Sequence, residues 1–279
     1  MSHRVIIEPD NQNKRYFKDI WAFKGLFYFL AWRDVRVRYK QTVIGIAWAV
    51  LRPLLTILAL SVVRWLFSNG ETQKIPFPLL IAAGTLPWQF FSSAFSDASN
   101  SLVSNSNLVS KVYFPRLIVP ASAIIVCLID FAVSFVIVLA IMVYYHFFPG
   151  VQILALPLFL LLAVITALGT GLYVGALNVK YRDFKYVIPF IVQIGMYVSP
   201  VMFSSNEIYA NAGIPSWIKT IYACNPMVCV IDGFRWCMFG EQVPVDTTKF
   251  AISLAVSVIM LIAGIYTFRK MEKDFADVI

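Results

Sequence analysis

The sequence predicts an all-α integral membrane protein, and three observations carry that prediction. The first is composition: 59% of the 279 residues are apolar and only 14% charged, with a mean hydropathy of +0.75. Soluble domains hold about 45–50% apolar and about 25% charged residues. The second is the grouping of apolar residues into six continuous runs, at 43–67, 77–96, 117–145, 152–177, 186–204 and 250–268. Each is close to the ~20 residues that a spanning helix needs, and none alternates as a barrel strand would. The third is the placement of charge. Of 23 lysines and arginines, Lys74, Lys219, Arg235 and Lys249 fall in the second set of loops, and Arg52 and Arg64 fall inside the first run. All the others lie in 1–42, 97–116, 178–185 and 269–279. This positive-inside bias places both termini in the cytoplasm. The net charge of +8 therefore reports topology and argues against nucleic-acid binding.

The first apolar run begins after some forty polar and mixed residues, so no cleavable leader is expected. Within that segment, 14–32 mixes aromatic rings with lysines and is too interrupted to span, which suits a helix lying in the cytoplasmic interface. At the other end, 205–249 is long for a loop, rich in rings, and punctuated by Pro215 and the Asn225-Pro226 pair. It reads as short re-entrant helices that dip into the outer leaflet before the last span. Non-helical backbone at that depth must lie against protein or a watery cavity, so the segment is expected to cap a cavity. No repeat or soluble domain appears, and the chain reads as one transmembrane domain, 1–279. A single six-helix bundle is small for making a pathway, so two copies are expected to associate. Gly171 and Gly175, with Gly169 beside them, permit close helix approach. Cys127 lies in a span, while Cys224, Cys229 and Cys237 form an odd outer-side set. That set fits small buried residues better than a disulfide framework.

Enzyme chemistry finds little foothold. There is no GxxxxGK[ST] phosphate loop, so ATP hydrolysis is not expected in this chain. His3 and His146 have no ligand spacing, and no metal site is expected. No GxSxG, HExxH or paired-carboxylate cluster occurs, so no catalytic residue is assigned. Charges inside spans are more informative, since each costs about 2.5–3.5 kcal/mol on insertion scales. Arg52 lies about 14 Å into the first span and Asp130 about 20 Å into the third from the same side. Matching depth and opposite sign make an Arg52–Asp130 pair the expectation, with a snorkelling or pore-solvated cation as the alternative. Arg64, near the outer end, is expected to snorkel. Tyr186, Phe190, Gln193 and Tyr197 share one face of the fifth helix at i, i+4, i+7 and i+11. Rings with an amide can line a path for sugars; ordinary packing or interface anchoring explains such a stripe equally simply. Trp48 and Trp88, inside their spans, are similar candidates.

Five phrases in order carry a family likeness: RVRYKQTVIGIAWAVLRP (36–53), SKVYFPRLIVP (110–120), ALNVKYRDFKYVIPF (176–190), YVSPVMF (197–203) and NPMVCVIDGFRW (225–236). The sequence resembles the permease subunit of bacterial polysaccharide ABC exporters, most closely those for O-antigen. The resemblance implies a homodimer of six-helix subunits in the inner membrane, joined to two copies of a separate ATP-binding subunit that holds ATP and Mg. It implies an interface helix at 14–40 and re-entrant outer-gate helices at 205–240. It also implies ATPase contacts at 97–116 (Asn107, Lys111, Arg116) and 178–185 (Tyr181, Arg182, Asp183). The polysaccharide channel would be lined by Trp48, Trp88, Tyr186, Phe190, Gln193 and Tyr197. A lipid-pyrophosphate entrance would involve Arg33, Arg36, Arg38, Lys40 and Arg52, because arginine grips phosphate oxygens two at a time. For Arg33 to Lys40, anchoring at an anionic leaflet is the plainer role. The expected cargo is an undecaprenyl-pyrophosphate-linked polysaccharide. The alternatives are capsule, teichoic acid or a small hydrophobic cargo and, from another class, a membrane-embedded transferase.

Overall fold

The computed structural model describes residue 16 and residues 19–40, 45–66, 75–181, 183–240, 243 and 247–275, with backbone alone for 45–49. The Trp48 side chain and Arg182 lie outside the described residues. Regular structure among the described residues is entirely helical. In chain order the helices are α1 (Lys24–Lys40), α2 (Gly45–Leu66), α3 (Phe77–Ser104), α4 (Ser106–Lys111) and α5 (Ile118–Tyr144). A short 3-10 turn (Val151–Ala155) leads into α6 (Leu156–Lys180), then α7 (Phe184–Val198), α8 (Ser205–Ala210) and α9 (Ser216–Ala223). The last two are α10 (Pro226–Phe239) and α11 (Thr247–Met271).

Helices occupy every predicted apolar run. Among the described residues, three segments are long and apolar enough to cross a membrane: Ile118–Tyr144, Val151–Lys180 and Thr247–Met271. The fifth run holds the shorter apolar helix α7. The second run departs from expectation. Helix α3 continues past residue 96 to Ser104, so most of the predicted loop at 97–116 is helical. The Ser/Asn-rich sequence tolerates this because its side chains bond back to their own helix. Asn100 Nδ2 donates to Ser96 O at 2.9 Å, Ser101 Oγ to Ala98 O at 2.7 Å, and Asn105 Nδ2 to Ser101 O at 2.9 Å. Their polar groups are thus satisfied without leaving the helical path.

The bundle is built around α3 and α6, which pack on each other; α5 flanks α3, and α11 flanks α6. Small residues allow this close approach. Gly171 meets α3 so tightly that a Cβ there would lie 2.8 Å from the Ala98 Cβ. Gly169 and Gly264 make the tightest contact between α6 and α11, and a Cβ on Gly264 would sit 2.1 Å from the Gly169 carbonyl oxygen. The glycine cluster foreseen from sequence therefore works inside one chain. Thr166 Oγ1 and Ser257 Oγ, 3.0 Å apart, add a hydrogen bond to this seam. Helix α10 lies against α3, α6 and α11 and is almost wholly buried. By contrast, only Ile188 of α7 is buried.

At the charged end, α1 packs against α5, and a second core gathers Leu30, Leu102, Val109, Leu172 and Phe268 from five helices, with Phe114 from the loop after α4 and Phe275 from beyond α11. Glu272 ties that end down. It accepts from the Arg116 backbone N–H at 2.9 Å and from the Tyr16 hydroxyl at 3.0 Å, while the Arg116 guanidinium donates to its carbonyl. Burial pushes the Glu272 carboxyl above its ordinary range, against those hydrogen bonds.

The seam yields a test. Gly264→Leu should lower stability by about 3 kcal/mol, because backbone rather than a flexible side chain blocks the new atoms. Gly25→Leu, whose Cβ meets nothing within 4 Å, should leave it unchanged. Thermal unfolding of the two variants in detergent checks this.

Candidate functional site

A cavity of about 280 Å³, lined by polar side chains and by Leu86, Phe90 and Phe131, opens between α1, α2, α3 and α5. Its lining includes Arg38 and Tyr39 from α1, Arg52 and Pro53 from α2, Gln89, Ser92 and Ser93 from α3, and Cys127, Asp130 and Ser134 from α5. Helical spacing explains the grouping: 89, 92 and 93 share one face, as do 127, 130 and 134.

Arg38 spans the two long helices. Its Nη1 lies 3.2 Å from Asp97 Oδ2, and its Nη2 lies 3.1 Å from Asp130 Oδ2. Burial works against the Arg38 charge, but Asp130 and Asp97 more than offset it, so its pKa stands above the ordinary value. The Tyr39 hydroxyl donates to Asp130 Oδ1, and Cys127 Sγ donates to Asp97 at 3.4 Å. The predicted Arg52–Asp130 ion pair does not form. Depth matched the two residues, but α1 packs against α5 and its Arg38 takes the carboxylate instead. Among the described residues Arg52 has no ion pair, and its guanidinium makes no hydrogen bond. The cluster of Arg38, Arg52, Asp97 and Asp130 is neutral in sum, with one cation held by two carboxylates and one held by none.

The remaining basic residues of α1 are arranged differently. Arg33 pairs with Asp34 at 2.7 Å and donates to Asn105 Oδ1 at 2.7 Å, which fixes it to the end of α3. Arg36 lies over the Trp32 ring at 5.3 Å, and Lys40 is exposed. The predicted ring positions divide into two groups. Tyr186, Phe190, Gln193 and Tyr197 stand exposed along α7. Trp88 is only 5% exposed, tilted against Phe91 and pressed on Gly195 of α7.

At the charged end, Asn107 and Lys111 are exposed on α4, and Tyr181 and Asp183 are exposed before α7. Exposed Val112 and Tyr113 continue the α4 surface and were not singled out from sequence. Arg116 belongs to the Glu272 contact and lies 5.9 Å over the Phe275 ring. Asp97 and Tyr39 also escaped the sequence reading. The signal for Asp97 was its position as the only carboxylate between 77 and 129, which a loop boundary drawn at 97 concealed.

A second polar cluster lies where α7 ends. Arg235, fully buried, donates to Phe203 O at 2.8 Å and to Val201 O at 3.1 Å. Asn225 donates to Ser199 Oγ at 3.1 Å, and Ser205 Oγ donates to Asp232. Two of the sequence phrases, 197–203 and 225–236, are therefore bonded to each other.

Residues 25–239 match the profile of the ABC-2 type transporters. The chain is similar to the O-antigen export system permease protein RfbA of Myxococcus xanthus, 25% identical over 264 residues that cover 94% of this chain and 98% of the relative. The protein of the same name from Klebsiella pneumoniae is 25% identical over 249 residues, covering 88% and 92%. The polysialic acid transport protein KpsM of Escherichia coli is 22% identical over 242 residues, covering 86% and 91%. The profile spans the cavity, the exposed residues at 107–113 and the Arg235 cluster together, and on that ground the chain belongs to the ABC-2 type transporter family.

Proposed function

We propose that this chain is the membrane subunit of an ATP-driven exporter that moves undecaprenyl-pyrophosphate-linked polysaccharide, an O-antigen, across the bacterial inner membrane. The observation that carries the reading is Arg52: among the described residues it has no ion pair, and it borders a cavity that holds hydroxyls, the Gln89 amide and the Arg38–Asp130 pair beside Leu86, Phe90 and Phe131. A pyrophosphate head group offers the oxygens that Arg52 lacks, and charge-assisted bonds of this kind are the strong ones. The family and the printed names of the relatives support polysaccharide as cargo. The exposed stripe Tyr186, Phe190, Gln193 and Tyr197 would then face the glycan across a pair of subunits.

Two copies of the chain would join two ATP-binding subunits carrying ATP and Mg. Those subunits would dock on the exposed Asn107, Lys111, Val112 and Tyr113 surface and on Tyr181 and Asp183, with both termini cytoplasmic. Arg33, Arg36 and Lys40 would hold α1 at the anionic leaflet, and Arg38 would latch α1 over the cavity. The re-entrant helices α8 to α10 would close the outer end. Membership of a transporter family replaces the alternative of a membrane transferase. Similarity to a polysialic acid transport protein supports a second cargo, capsular polysaccharide, moved by the same entrance.

Arg52→Gln should insert normally yet reduce surface polysaccharide by about tenfold or more, as loss of a charge-assisted bond implies. Immunoblots of surface glycan beside membrane-fraction blots of the chain decide it, and normal glycan would refute the head-group role. Charge reversal tests the latch. Arg38→Asp and Asp130→Arg should each impair export, and the double variant should recover part of it; a double variant no better than either single one would disprove the pairing.

A further inference from the structure

Among the described residues, Arg52 near the inner end has no ion pair, whereas the outer end holds an arginine that is completely enclosed. Arg235 is 0% exposed, and its guanidinium grips two carbonyl oxygens of the segment that follows α7. Asp232, on the same face of α10, accepts from Ser205 and lies 3.9 Å from Arg235. Asn225 caps α10 by accepting from the Met227 N–H at 3.0 Å and also holds Ser199. Positions 225, 232 and 235 lie seven and ten residues apart, within one quadrant of the helix. One face of α10 therefore holds residues 199, 201, 203 and 205, the whole joint between α7 and α8.

This arrangement resists bending. Releasing Val201 and Phe203 would take two hydrogen bonds from a fully buried guanidinium and leave it facing Asp232 at 3.9 Å, a costly change in a folded protein. The neighbouring helix reinforces the clamp. A Cβ on Gly84 of α3 would lie 2.8 Å from both Arg235 Nη2 and the Val201 carbonyl oxygen, so no spare space surrounds it. Meanwhile α7 itself is loosely held, with a single buried residue, and its far end follows the exposed Tyr181 and Asp183.

We propose that Arg235 is a positioning residue that makes α7 and α10 one rigid body. A displacement imposed at residues 181–183 is thereby delivered to the outer helices without loss at the 199–205 joint. The inference rests on the transport reading above, in which 181–183 meets the ATP-binding subunit and α8 to α10 close the outer end. On this account α7 is a rod and the joint is not a hinge.

The complex with its ATP-binding subunit, in lipid nanodiscs, provides the test through distances between spin labels. One pair joins Val198→Cys at the end of α7 to the native Cys224 that precedes α10; both positions are exposed, and Cys127, Cys229 and Cys237 are buried. A reference pair joins Val198→Cys to Tyr144→Cys at the end of α5 in a Cys224→Ser background. ATP should shift the 198–144 distance and leave the 198–224 distance single and unchanged. In Arg235→Met, the 198–224 distribution should broaden or split, with ATP hydrolysis retained and export reduced. Gly84→Ala should do the same while keeping every polar group, which covers the case of an unfolded Arg235 variant. A nucleotide-dependent 198–224 distance in the wild type would make the joint a hinge and overturn the proposal. So would an unmoving 198–144 distance, or unaltered distributions in both variants. Failure of the wild type to export glycan would instead refute the cargo reading, and these distances would stand.

Discussion

Inside an apolar bundle every charge must be answered by an opposite charge or by hydrogen-bonding groups, because water is not there to do it. That constraint organises this chain at both ends. At the charged end, Asp97 and Asp130 project from neighbouring helices and would repel each other; Arg38 enters from α1 and binds both. Helix α1 is therefore held to the bundle by a bridge rather than by apolar contact alone. Where α7 meets α10, Arg235 is answered by main-chain oxygens, with Asp232 beside it, and this fixes the irregular segment between α7 and α8.

The two arginine solutions differ in a way that matters mechanically. Arg38 and its carboxylates are partly exposed and border a cavity, so an incoming anion can compete for the cation at moderate cost. Arg235 has no exposure, and its guanidinium is held by two carbonyls with the Asp232 carboxylate 3.9 Å away. One end of the bundle is exchangeable and the other is fixed. Between them, the small-residue contacts of α3, α6 and α11 make a dense centre that transmits displacement rather than absorbing it.

Much of the fold was legible because a membrane-embedded helix advertises itself by a long apolar run, and each predicted run holds a helix. Boundaries were less legible where polarity and helicity part company. The Ser/Asn-rich stretch after 96 reads as loop, yet its side chains satisfy themselves on the helix they belong to. Depth along a span is one coordinate of three, and it led to the wrong partner for Asp130; the right one sits on a helix that crosses the others from outside the spans. The polar face of α10 could be read from the spacing of Asn225, Asp232 and Arg235. Its partners at 199–205 could not, since they are main-chain atoms that every sequence carries. Glu272 was equally silent, a single acid in a charged tail whose significance comes from Tyr16 and Arg116 meeting there.

The account turns on Arg52 meeting the phosphates of a lipid carrier in the cavity under α1. Photo-crosslinking examines that claim most directly. A polyprenyl pyrophosphate carrying a diazirine next to the phosphates is added to the complex in nanodiscs, and the labelled peptides are identified by mass spectrometry. The account predicts adducts on the cavity lining, around Gln89 to Ser93 and Asp130 to Ser134, that disappear in Arg52→Gln. Adducts confined to the exposed faces of α5 and α11, unchanged by that substitution, would contradict it.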